Sequence, residues 1–389
     1  MAQIRKLCVI TDRYPTEQYP ANTFLDQLVC QFADSDVECT VVAPYSRLND
    51  IIKHNNYAPE RMYEKTTLQG NKIRVHCKTF FAPLGRKVAG VNFAKFYQRC
   101  FEKAIERTIK KETDCNFDAF YGHFIAPSGF AAVKMGKKFN KPAFIAYGEC
   151  SLDQELCNYT LEEVIQGVEG VTGIVAVSTK NKKELLDHRV VAEDKIQVFP
   201  NSINQSMFYK IDKAEARKKL GLPQDEFIVA FVGYFIERKG PRRLAQALSM
   251  LPGVKSLFIG SGEQTPDCED ILFMGRLPHN EIVTYLNAAD VFVLPTLAEG
   301  CCNAVVEAMA CGLPIISSDL PFNDDILDET NSIRVDPMDV KAIRNAIDAL
   351  RKDETLRLKL SEGALQRAKS LTIESRADNI LCFMEKQSQ

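Results

Sequence analysis

LPTLAEGCCNAVVEAMACGLP, residues 294–314, reads as a strand end, an acidic loop and the start of a helix. The apolar run Val291 to Leu294 feeds the loop. A turn forms on Gly300, and small and apolar residues (Ala304, Val305, Val306, Ala308, Met309) then follow at helical spacing. Gly312-Leu313-Pro314 stops the helix. Backbone N–H groups at such an N-terminus attract phosphate. Two glutamates flank the turn: Glu299 in the loop and Glu307 one turn inside the helix. Each carboxylate accepts two or more hydrogen bonds, which suits vicinal diols. The unit has the makings of a sugar-nucleotide site. The helix macrodipole alone also favours an acidic residue near a helix start, so neither glutamate settles the matter by itself.

The wider text extends this reading. The Glu-x7-Glu element and the AEGCCNAVVEAMACGLPII wording resemble the retaining glycosyltransferases of GT-B fold, in the large sucrose-synthase-like family numbered four (group 1). FVGYFIERKG (231–240), IGSGE (259–263), FMGRLPHNEIVTYLNAADVFVLPT (273–296), FPNSIN (199–204) and an N-terminal DRYP…NTFLDQL segment carry the same resemblance. It covers nearly the whole chain and is densest in the second half.

Composition sets outer bounds. The 389 residues exceed one small core and fit two domains. Basic and acidic residues nearly balance, 49 against 51, so global charge offers no case for nucleic acid. Thirteen cysteines, an odd number, have no regular spacing and form no C-x-x-C pair, which argues against a disulfide framework or a structural zinc. A reducing cytoplasm is the simplest compartment. The apolar run Leu7 to Ile10 is too short for a signal peptide, and no run approaches the roughly 20 apolar residues of a membrane span.

Short buried strands alternate with helices along the chain. Leu7–Thr11, Glu38–Ala43, Ala119–Tyr121, Ala143–Tyr147 and Ile174–Val177 form one series. After Pro200-Asn201 a second series runs through Phe227–Val232, Ser256–Ile259, Ile271–Met274, Val291–Leu294 and Pro314–Ser317. This pattern predicts an α/β protein of two doubly wound, Rossmann-like domains facing a cleft. We expect an N-terminal domain over 1–203 and a C-terminal sugar-nucleotide domain over 204–370. The resemblance implies that a helix at about 371–389 crosses back to the first domain. Residues Val88 to Lys111 read as one long basic helix. Such a helix is ordinarily a solvated face, and peripheral contact with the inner face of an anionic membrane is its alternative use.

Ligands in doubly wound folds bind beyond the carboxyl ends of the strands. Gly233, Gly262 and the Gly275-Arg276 loop fall there, with Asn303, Ala304 and Val305 at the helix start. Arg238 and Lys239 follow the strand 227–232 and precede a helix opening at Gly240-Pro241, an arrangement suited to clamping a diphosphate. The resemblance implies that Lys239 binds the donor diphosphate, Glu299 the transferred sugar and Glu307 the ribose. Many family members carry an arginine where this chain has Tyr234, so Arg238 is the candidate substitute.

In the first half, His123 in YGHFIAPSGFAA closes a strand, and the resemblance places a sugar-contacting histidine nearby. Gly148-Glu149 ends another strand, with Tyr147 where the family often has histidine. Glu149 is an acceptor-side candidate. So are Asn22 and Thr23, in a loop (Ala21-Asn22-Thr23) where the family has a glycine-rich turn. His54, His76, His188 and His279 have no comparable setting. The one Asp-x-Asp, Asp34-Ser35-Asp36, precedes a strand and reads as a turn, so no metal is expected. The expected donor is a UDP or GDP sugar and the acceptor a saccharide or lipid-linked saccharide. No other cofactor is implied. An epimerase or phosphorylase on the same fold, and a non-catalytic binding subunit, are the rival readings.

Overall fold

The computed structural model describes residues 3–16, 22–52, 59–83, 85–88 and 90–389. Ala21, part of the N-terminal loop considered above, and His54 lie outside them. Contacts divide the chain into two units, Met1–Phe199 with Glu374–Gln389, and Pro200–Ile373. Each is an α/β Rossmann-like fold around a mainly parallel sheet.

The first unit's sheet has the order Ile196–Val198, Gly173–Ala176, Ala143–Tyr147, Ala119–His123, Lys6–Ile10, Glu38–Val42, Lys72–His76, Met62–Thr66. The strands are parallel apart from the last, which pairs antiparallel on Lys72–His76. The strands Ala119–His123 and Ala143–Tyr147 are buried at every position, as a sheet covered on both faces requires. The helix Ile373–Gln387 packs into this unit. Its Phe383 ring lies 6.3 Å from Phe144 and 5.7 Å from Phe199. Gly173 makes room for it, since a Cβ there would sit 2.8 Å from the Phe383 ring.

The second unit's sheet runs Ile271–Gly275, Lys255–Ile259, Ile228–Val232, Val291–Leu294, Ile315–Ser318, Ser332–Val335. In chain order this is 3-2-1-4-5-6, the doubly wound arrangement with its switch point between Ile228–Val232 and Val291–Leu294. These two strands pair only through Val229–Val291 and Ala230–Phe292. The ladder therefore stops short of their carboxyl ends, where the loop quoted at the outset begins.

Three departures from the sequence reading have simple causes. The long basic helix begins at Ala94 and ends at Glu112. Residues before it form a small hairpin, Lys87–Val88 with Val91–Asn92, turned on Gly90 at φ +83°. Several helix cations are already paired, Lys110 with Glu106 at 2.8 Å and Lys95 with Glu163. The strands Met62–Thr66 and Lys72–His76 also escaped notice. Their charged residues alternate outward and pair across strands, Lys72 with Glu64 at 3.0 Å and Arg74 with Glu38 at 3.1 Å, so no apolar run marks them. Among the described residues, no helix is long and apolar enough to cross a membrane.

Candidate active site

At the switch point of the second unit lies a cavity of about 400 Å³. Gly233 and Tyr234 line it from the end of the first strand, and Gly260 and Ser261 from the second. Arg276, Leu277 and His279 line it from the third. Lys239, Glu299, Cys302, Asn303, Ala304 and Glu307 complete the wall. Glycine is needed where these loops meet. A Cβ on Gly260 would lie 1.9 Å from the Gly233 carbonyl oxygen.

The Glu299 carboxylate is buried, and three donors converge on its Oε1. Lys239 Nζ stands at 2.6 Å, Arg238 Nη1 at 2.9 Å and Thr296 Oγ1 at 2.9 Å. Arg238 also donates to the Ala298 carbonyl. Among the described residues nothing bonds Glu299 Oε2. Lys239 lies 4.0 Å from the Cys302 sulfur. Burial by itself would lower the Lys239 pKa, but Cys302 and Glu299 outweigh it and hold the ammonium above its ordinary value. Burial likewise pushes the Cys302 thiol up to about 11. The lysine is therefore a fixed cation beside a neutral thiol.

Cys302 is the N-cap of the helix Asn303–Ala310 and makes no side-chain capping bond. Asn303 and Ala304 bring the first turn of that helix to the cavity. Val305 does not reach it; its side chain is fully buried in the core. Nor is Gly262 part of the wall. It is set against the backbone of Phe235, where a Cβ would lie 2.3 Å from the carbonyl oxygen. Arg238 braces Glu299 from outside the lining.

Glu307 accepts a hydrogen bond on Oε1 from His279 Nε2 at 2.9 Å. Burial works against charge on the imidazole, but the hydrogen bond and charge of Glu307 raise its pKa above the ordinary histidine value. The sequence reading set His279 aside, and the structure corrects that. A signal was present: His279 follows the Gly275-Arg276 loop and opens the helix His279–Ala288, which points its start at the strand ends.

The first unit's candidates have a different setting. His123 ends the strand Ala119–His123 and is 5% exposed. Its ring lies 4.7 Å from Phe124 and 5.2 Å from Phe24, and among the described residues Nδ1 has no hydrogen-bond partner. Burial, then the Arg376 charge, lower its pKa to about 3, so the imidazole is neutral. The Glu149 carboxylate accepts from the Ile125 amide at 2.8 Å and the Gly148 amide at 2.9 Å. Burial raises its pKa to about 7. Glu155, which the sequence reading missed, is also buried, and its pKa rises to about 8 through burial and then the Glu149 charge. Tyr147 donates to Glu184 at 2.6 Å. Asn22 adopts φ 60° at the start of the helix Thr23–Asp34, the left-handed conformation its residue type tolerates, and Thr23 is the first helical residue. Asp34 is occupied by Thr67 at 2.5 Å and Asn71 at 2.9 Å.

Residues 212–367, nearly all of the second unit, match the model of the glycosyl transferases group 1 family. Over those residues the chain carries that family's pattern. The chain is 26% identical over 356 residues to a Bacillus subtilis protein named as a teichuronic acid biosynthesis glycosyltransferase, TuaC, covering 88% of each chain. It is 27% identical over 227 residues to an Escherichia coli UDP-Gal:alpha-D-GlcNAc-diphosphoundecaprenol alpha-1,3-galactosyltransferase, covering 54% of this chain and 59% of that one. The structure of a sucrose-phosphate synthase from Thermosynechococcus elongatus superimposes with a TM-score of 0.75 at 21% identity, covering 97% of both chains. The shared fold is GT-B.

Proposed function

We propose that this glycosyltransferase moves a sugar from a nucleoside diphosphate sugar, of UDP or GDP type, to an acceptor hydroxyl, with retention at the anomeric carbon. Glycan or polysaccharide biosynthesis is its setting, and the acceptor is a saccharide or lipid-linked saccharide. The name of the Bacillus subtilis relative and the diphosphoundecaprenol in that of the Escherichia coli one support that range. One observation carries the reading. Glu299, Glu307, Lys239 and the first turn of the helix Asn303–Ala310 line one cavity at a switch point.

In this scheme residues 200–373 are the donor domain. Glu307 holds the ribose diol and Glu299 Oε2 takes hydroxyls of the transferred sugar. As the bond from the anomeric carbon to the diphosphate oxygen breaks, its electron pair leaves with the diphosphate. Lys239 and the amides of Asn303 and Ala304 stabilise that growing charge. The acceptor oxygen forms the new bond from the leaving-group side, and its proton passes to a phosphate oxygen. His123, neutral and buried, and Glu149 serve the sugar and acceptor side, with Asn22 and Thr23 beside them. The chemistry calls for no metal or further cofactor.

We place the protein in the cytoplasm. The exposed Phe81, Val91 and Phe96, around the hairpin and the start of the basic helix, are its surface for peripheral membrane contact. Sedimentation with anionic liposomes at low and high salt tests that part.

The central test is a thermal-shift panel of UDP and GDP sugars, followed by assays of nucleoside diphosphate release with and without saccharide or lipid-linked acceptors. Stabilisation by one donor class and acceptor-dependent release are expected. No response to any nucleoside diphosphate overturns the proposal, and binding without release reduces the protein to a binding subunit.

A further inference from the structure

His279, paired with Glu307 in the cavity, has no role assigned so far. Its geometry is specific. His279 opens its helix just after the loop Gly275-Arg276-Leu277, and its ring is tilted against Phe208 at a centroid distance of 5.0 Å. Nε2 meets Oε1 of Glu307 at 2.9 Å, and among the described residues nothing bonds Oε2. The imidazole is 32% exposed and the carboxylate 12% exposed. The pairing fixes one carboxylate oxygen and leaves the other available.

We propose that His279 is a positioning residue for nucleoside recognition, clamping Glu307 Oε1 so that Oε2 is presented to the ribose 2′,3′-diol. This rests on the assignment of Glu307 to the ribose and deepens it. Without the clamp the carboxylate can rotate about its last torsion, and a two-point acceptor for a diol becomes a loose one. The clamp is also titratable. Arg276 lines the same cavity, Glu281 shares the first turn of the His279 helix, and Cys311 lies on the Glu307 side. Burial opposes the charge, but the hydrogen bond and charge of Glu307 together hold the imidazole pKa above its ordinary value. As pH rises past that point the imidazolium loses its charge, and the ion pair becomes a weaker hydrogen bond from a neutral imidazole to the carboxylate.

The test compares UDP with 2′,3′-dideoxy-UDP, and GDP with 2′,3′-dideoxy-GDP, by calorimetry at about pH 6 and about pH 8.5. The ratio within each pair cancels the base and the phosphate titration. The wild type should prefer the ribose form by about tenfold or more at the lower pH, and by less at the higher. His279→Phe keeps the contact with Phe208 but should bring the ratio near one at both pH values. His279→Gln, a neutral donor, should restore part of the preference without its pH dependence. A His279→Phe protein with the wild-type ratio and slope overturns the proposal. If Glu307→Gln also keeps the wild-type ratio, the ribose assignment itself fails. If Glu307→Gln loses the ratio while His279→Phe keeps it, only the clamp is wrong. A wild type that binds neither diphosphate overturns the nucleotide reading beneath both.

Discussion

The two units share a strand plan but treat charge in opposite ways at the carboxyl ends of their strands. In the second unit, charges are kept and paired: Lys239 and Arg238 on Glu299, His279 on Glu307. In the first, Glu149, Glu155 and His123 are buried, and burial shifts each toward its neutral form. Paired charges in a half-open cavity are preorganised for an ionic ligand and cost little reorganisation when it arrives. Neutral, buried polar groups suit uncharged hydroxyls. The fold supplies the crevice, and the side chains decide its chemistry.

The sharpest way to break this comparison is to remove the fixed cation. Lys239→Ala should lower kcat by about 10²–10³-fold, as loss of one preorganised electrostatic group does, while KM for the donor rises much less. Steady-state kinetics decide it. A change confined to KM would mean that Lys239 binds ground state and transition state alike.

The first unit's burial makes a pH prediction. Glu155 has its folded pKa raised to about 8 and Glu149 to about 7, both from 4.5. Above pH 4.5 the unfolded chain releases these protons while the folded chain retains them, so the stability they confer is lost as pH rises toward 8. His123, lowered from 6.5 to about 3, acts the other way and costs stability only below pH 6.5. Between about pH 6.5 and 8 the glutamates act in the same direction as His279, whose pKa is raised, and melting temperature should fall by the equivalent of about 1–3 kcal/mol. Glu155→Gln should flatten that slope. An unchanged slope would show that Glu155 ionises freely.

A smaller effect separates the units functionally. His123→Ala should lose transfer while the affinity for nucleoside diphosphate stays within about twofold of wild type, since the residue lies outside the donor unit. Weakened nucleotide binding would contradict that division.

The sequence made most of this legible where burial and turns leave a signature. The strands Ala143–Tyr147 and Val291–Leu294 are continuous apolar runs and stand where they read. The Glu-x7-Glu loop, Lys239 and the Gly275-Arg276 loop all reach one cavity. Val305 and Gly262 stand behind the cavity wall, and chain position alone does not tell a wall from the layer behind it. One is buried core, and the other is a glycine demanded by the Phe235 backbone. His279 and Glu155 were missed for another reason. Their partners, Glu307 28 residues away and the carboxylate of Glu149, meet them only in the folded chain.

The central claim is that the second unit's cavity reads a ribose diphosphate through Glu307 and reserves Glu299 for the sugar. Calorimetry of the bare nucleoside diphosphate on wild type, Glu307→Gln and Glu299→Gln tests it most directly. Glu307→Gln should weaken binding by about 1.5–3 kcal/mol, the usual cost of losing a charged hydrogen-bond partner. Glu299→Gln should not weaken it, because it releases Lys239 from its carboxylate. Equal affinities of wild type and Glu307→Gln would contradict the account.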